Sequence, residues 1–108
     1  MLIGCPREIK NQEFRVGLTP ESATELARHG HRVWIQSGAG MGIGATDEQY
    51  RAGGAEIVPG PETIFAECEM VVKVKEPQSA ERAQLREGQV LYTYLPVSYT
   101  HLTLPTKA

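Results

Sequence analysis

Short apolar runs alternate along this chain with polar segments whose few apolar residues fall at helical spacing. Leu2 to Cys5 are an apolar run halted by Pro6, which predicts a strand. A long polar connection occupies residues 7–18. Thr19, Pro20 and Glu21 then make a helix start. They supply a side-chain oxygen for the free amides, a pre-set φ and an acid facing the positive end of the dipole. Ala23, Leu26 and Ala27 recur at helical spacing, and Gly30 supplies a left-handed residue to close the helix. A second strand is expected from about Arg32 to Gln36. Thr46 with Gln49 forms a capping box for a second, short helix ending at Gly53-Gly54. Ala55 to Val58 read as a third strand, Pro61 to about Glu67 as a third helix, and Glu69 to Lys75 as a fourth strand stopped by Pro77. Ser79 is expected to cap a fourth helix ended by Gly88, and Val90 to Leu95 to form a fifth strand.

Strands alternating with helices predict an α/β fold with a parallel sheet and right-handed crossovers. The expectation is a Rossmann-like sheet of about five strands flanked by helices, incomplete at its end. Composition changes this picture little. With 41% hydrophobic residues, 22% charged residues and a net charge of -2, the chain has the make-up of a soluble globular domain. The mild acidity gives no clustered basic face for nucleic acid. No apolar run approaches the roughly 20 residues that span a bilayer, and the start lacks the basic and apolar regions of a signal peptide. Cys5 and Cys68 stand far apart with no metal-ligand spacing, so they read as small buried or half-buried thiols in a reducing cytoplasm, with no metal.

The end of the chain departs from the rest. Residues 96–108 contain no acid and no glycine, whereas every acid of the chain lies at or before Glu87. Val97 to Thr106, VSYTHLTLPT, match an in-frame translation of a transposase-type sequencing adapter. Residues 1–95 are therefore expected to be the domain, and 96–108 a non-native tail. His101 is given no catalytic role on that ground.

Three groups of residues carry candidate chemistry. Gly40, Gly42 and Ala45 satisfy G-x-G-x-x-A between a strand and a helix, the outline of a dinucleotide fingerprint. The match is weak. It follows the second strand, no acid closes a later strand at the right distance, and the extra glycines Gly38 and Gly44 suggest a loose surface loop. Arg15 lies in the connection after the first strand, at the sheet edge where open parallel sheets bind ligands, and can fork onto a carboxylate. Against this stands an ordinary solvated loop arginine. Lys73 and Lys75 are expected on one face of the fourth strand, with Lys75 at that same edge. An unpaired ammonium is expensive to bury, so the plain alternative is a strand end reaching solvent.

Taken together, IKNQEFRVGLTP (9–20), the 38–58 segment GAGMGIGATDEQYRAGGAEIV and VVKVKEP (71–77) resemble the N-terminal region of alanine dehydrogenases over residues 1–95. A close alternative is the NAD(P) transhydrogenase alpha subunit, which shares the R-V-x-x-T-P element; Lys75 favours the dehydrogenase. The resemblance implies an oxidoreductase that interconverts L-alanine with pyruvate and ammonia, using NAD held on a further domain. It implies substrate-binding roles for Arg15, toward the carboxylate, and Lys75, toward a carbonyl or carboxylate oxygen. It also implies a cytoplasmic homo-oligomer, a hexamer. Its catalytic histidine falls at the position of Pro96 here, so this chain is expected to be inactive. A stand-alone keto-acid binding module remains the reading from another class.

Overall fold

In the computed structural model, residues 1–94 are described. Strand β1 (Leu2–Cys5) leads through a long loop to helix α1 (Pro20–Arg28), then β2 (Arg32–Gln36), α2 (Asp47–Ala52), β3 (Glu56–Val58), α3 (Pro61–Glu67), β4 (Met70–Lys73), α4 (Ser79–Arg82) and β5 (Val90–Thr93). All pairings are parallel, in the order β3-β2-β1-β4-β5. The expected α/β class and five-stranded parallel sheet are both present. Leu95, Pro96 and the proposed tail with His101 lie outside the described residues.

Helix starts follow their local chemistry. The Thr19 hydroxyl accepts from the Ser22 amide at 3.1 Å, and Pro20 occupies the first turn. Thr46 and Gln49 exchange both bonds of the capping box. The fourth strand and the fourth helix differ from expectation. β4 ends at Lys73 because the next two amides, of Val74 and Lys75, donate to the Glu8 carboxylate instead of to a neighbouring strand. α4 is a single turn capped by Gln78, one residue before the expected Ser79. The Gln78 amide donates to Glu81 Oε1, and the chain then tightens into i→i+3 bonds at Gln84 and Leu85.

The sheet is covered on both faces, as parallel sheets require. Ile3, Cys5, Val33, Ile35 and Val72 pack with Ala23 of α1 and Tyr50 of α2 on one side. Val71 packs with Ile64, Phe65 and Cys68 on the other. This period-two division places Trp34 and Leu2 with the second cluster. The carbonyls at the end of α3 are taken by Arg86 and Gln89, which both donate to Phe65 O and Cys68 O. The first connection runs from β1 to one side of the sheet, and later strands add on the other. β1 and β4 are therefore neighbours at a point where the winding reverses.

Candidate functional site

Open α/β sheets take ligands in the crevice outside the carboxyl ends of the strands at such a reversal. Here two segments meet there: residues 6–19 after β1 and residues 74–78 after β4. Gly17 lets the first cross the end of β4 closely, since a Cβ at this position would lie 2.6 Å from the Val72 carbonyl oxygen.

Three ion-paired contacts tie the first segment to the end of β4 and the chain that follows it. Lys10 Nζ meets Glu76 Oε2 at 3.0 Å near the surface. Below it lies a buried trio. Lys73 Nζ is 3.0 Å from Glu8 Oε1 and 3.0 Å from Glu81 Oε2, and all three side chains are almost wholly shielded. Glu8 also accepts the amides of Val74 at 2.8 Å and Lys75 at 3.3 Å. Two carboxylates and a set of charge-assisted bonds resolve the cost of burying an ammonium. Lys73 thus holds the seam shut and faces no open space, contrary to the expectation of a strand end reaching solvent.

The third contact contains both candidate binding residues. Glu13 Oε2 accepts from the Arg15 backbone amide at 2.8 Å and from Arg15 Nε at 3.0 Å, while Oε1 accepts from Nη2 at 3.1 Å. Lys75 Nζ stands 3.7 Å from the same Oε1. The Glu13 side chain is 4% exposed and that of Arg15 59%. The hydrogen-bonded Arg15 guanidinium holds the Glu13 carboxyl down at about 2 and is itself pushed up by that carboxylate. Among the described residues Arg15 Nη1 has no partner, so the Nη1–Nη2 edge of the fork is open. Arg15 separates two recesses. One, of about 340 Å³, is walled by Val16, Ile43, Val74 and Tyr94; the other, of about 130 Å³, by Arg7, Glu8, Glu13 and the glycine segment. Lys75 is not in the wall of either recess; its ammonium stands at their margin beside Glu13. Nothing local in the sequence announces Glu8, whose pairing with Lys73 spans 65 residues, or the second carboxylate that Glu81 adds to it; Glu13 stands out only within the segment that carries the family resemblance.

The glycine segment does not make a dinucleotide cradle. Met41–Ile43 form a 3-10 turn rather than a loose loop. A Cβ at Gly42 would collide with the Phe14 carbonyl, and one at Gly40 would lie 2.8 Å from Tyr50 Cε2. The space that a pyrophosphate needs beside such glycines is filled by the chain itself. Asp47 adds a negative charge there, accepting from the Gly38 amide at 2.9 Å and Ser37 Oγ at 2.7 Å; these bonds hold its carboxyl below the usual range. The residues present here do not fit NAD.

Both cysteines are buried and free. Burial pushes the Cys5 thiol up to about 12 and that of Cys68 to about 11, so neither is a nucleophile at neutral pH. Among the described residues no group of His, Cys, Asp and Glu is placed to hold a metal, and no helix is long and apolar enough to cross a membrane.

A two-faced parallel sheet with a set of ion pairs gathered over its winding reversal defines a Rossmann-like domain. Comparison with known proteins makes this specific: residues 4–104 match the family described as alanine dehydrogenase/PNT, N-terminal domain, and the chain belongs to that family. It is 50% identical over 95 residues to the alanine dehydrogenase of Mycolicibacterium smegmatis, an alignment covering 88% of this chain and 26% of that protein. A solved L-alanine dehydrogenase superposes with a TM-score of 0.83 at 50% identity, covering 87% of this chain and 26% of the other. A transhydrogenase from Sinorhizobium meliloti superposes with a TM-score of 0.81 at 25% identity, covering 88% and 27%. The chain thus spans about a quarter of the length of these relatives.

Proposed function

We propose that this chain is the substrate-binding domain of an alanine dehydrogenase, the NAD-dependent oxidoreductase that interconverts L-alanine with pyruvate and ammonia. One observation carries this reading: Arg15 and Lys75, brought from two loops to the winding reversal, converge on a single carboxylate. The open Nη1–Nη2 edge of Arg15 has the geometry to receive a substrate carboxylate through two parallel bonds. Lys75 offers an ammonium to the keto or second carboxylate oxygen. The apolar wall of Val16, Ile43, Val74 and Tyr94 suits a short alkyl group. Two fixed contacts on a small acid orient its α-carbon for attack from one side. The 50% identity to alanine dehydrogenases, against 25% to the transhydrogenase, favours the dehydrogenase over an alpha-subunit segment.

In this reading NAD is held outside the described residues, and the working enzyme is a cytoplasmic homo-oligomer, a hexamer by family resemblance. Residues 1–95 are the functional unit. Pro96, where the family places its histidine, offers no general acid or base, so the 108-residue chain by itself turns nothing over.

The test is a chimera in which residues 1–95 replace the aligned segment of the M. smegmatis enzyme. Pyruvate amination is expected, with Arg15→Ala and Lys75→Ala each lowering kcat/KM about 10- to 150-fold, the worth of a charge-assisted bond. A chimera carrying Pro96 as well should be inactive. Unaltered kinetics in both alanine variants would remove the assignment. Pyruvate binding to the 108-residue chain alone, with no activity in the chimera, would favour a stand-alone binding module.

A further inference from the structure

We infer that Glu13 sets the charge of this site so that it accepts monocarboxylic keto acids and turns away dicarboxylic ones. This rests on the substrate reading above and goes beyond it by naming a selectivity residue. Arg15 and Lys75 bring two positive charges to one place, and the Glu13 carboxylate lies against both. Their sum is one positive charge, which a singly charged acid neutralises. The surrounding pairs leave little to attract a second carboxylate. Lys10 is matched by Glu76, and Lys73 is outnumbered by Glu8 and Glu81. Arg7, the remaining cation of these loops, lines the smaller recess together with Glu8, whose trio carries the surplus negative charge.

The Glu13 side chain is itself nearly enclosed, and three donated bonds from Arg15 fix it. It therefore cannot swing away to make room for a rival anion without leaving both cations unpaired. Arg15 still presents one open edge of its fork, so the carboxylate need not be displaced for a monoanion to bind. Glu13 thus occupies the side-on edge of the guanidinium and leaves the end-on edge to substrate. A dianion entering at that edge brings a second negative charge toward the fixed carboxylate of Glu13, which the uncharged end of a monoanion does not feel.

The experiment compares 2-oxoglutarate with 2-oxopentanoate, acids of equal chain length that differ by the terminal carboxylate. Each is used as a competitor of pyruvate in the chimera of residues 1–95 with the M. smegmatis enzyme. The readout is the ratio of the two inhibition constants, in which any general loosening of the site cancels. Glu13→Gln should shift that ratio about tenfold in favour of 2-oxoglutarate, the effect of one unit charge some 6 Å away at a partly screened site. Glu13→Asp, which keeps the charge, should leave the ratio within about twofold of the parent. A ratio unmoved by Glu13→Gln, or shifted equally by Glu13→Asp, overturns the inference. An inactive parent chimera counts against the dehydrogenase reading. The selectivity is then decided by the ratio of dissociation constants of the two acids on the 108-residue chain, measured by chemical-shift titration for the parent and Glu13→Gln. The same tenfold shift supports it and its absence overturns it.

Discussion

Lys73 and Lys75 stand two residues apart on one segment and have opposite fates. Lys73 is the last residue of β4 and is enclosed between Glu8 and Glu81. Lys75 sits just past the strand, a quarter exposed, with its ammonium 3.7 Å from Glu13. The difference arises at Glu8, whose carboxylate takes the amides of Val74 and Lys75 and ends the strand between the two lysines. Inside that boundary a positive charge must be fully paired, and it holds the structure together. Outside it a positive charge keeps part of its bonding capacity for something else. The candidate site is thus a loosely satisfied layer of ion pairs resting on a tightly satisfied one.

The sharpest way to break this comparison is Lys73→Met. It leaves Glu8 and Glu81 as buried carboxylates without a counter-ion and should cost about 3–5 kcal/mol in urea denaturation. A loss no larger than that of Lys75→Ala would erase the distinction. Next comes Gly17→Ala, which pushes a methyl group against the Val72 carbonyl and forces the first loop away from β4. An overpacking cost of about 1–3 kcal/mol is expected, again from the urea midpoint. Third is acid sensitivity. The folded Glu13 carboxyl lies at about 2, below its ordinary value near 4.5. Its contribution is therefore complete above pH 4.5 and is lost as pH falls toward 2. Between pH 5 and 2 the parent should lose more stability than Glu13→Gln; equal losses would show that the pair does not hold the loop. The smallest effect belongs to Lys75→Ala, whose partly exposed pair should contribute no more than about 1 kcal/mol to stability.

Much of the frame was legible because its signals are local. Thr19 before Pro20, and Thr46 three residues before Gln49, each solve the problem of free helix amides within one turn, so they can be read without knowing the rest of the chain. Arg15 and Lys75 were visible as edge residues once strands alternated with helices, since the winding of a parallel sheet brings particular loops together. The end of β4 was not legible, because the group that terminates it belongs to Glu8, more than 60 residues earlier. For the same reason a run of alternating lysines suggested one shared face, whereas the chain turns after Lys73 and separates them. The glycine segment misled in a different way. Its glycines answer to close packing against Phe14 and Tyr50, and a sequence pattern does not distinguish room made for a neighbour from room made for a ligand.

The pairing of β1 with β4 has a consequence for how the molecule comes into being. Ile3 and Gly4 find Met70 and Val71 only after everything between has been made. On a ribosome adding about 5–20 residues per second, the first strand waits roughly 3–13 s for its partner. During that interval β1, β2 and β3 can assemble with α1 and α2, since their contacts are nearer in sequence and closing shorter loops costs less entropy. The inner edge of β1 meanwhile lies open, and Glu8 and Glu13 hang in solvent with neither lysine synthesised. Folding of the nascent chain is therefore expected in two stages, and the ion pairs with Lys73 and Lys75 arrive only with the second.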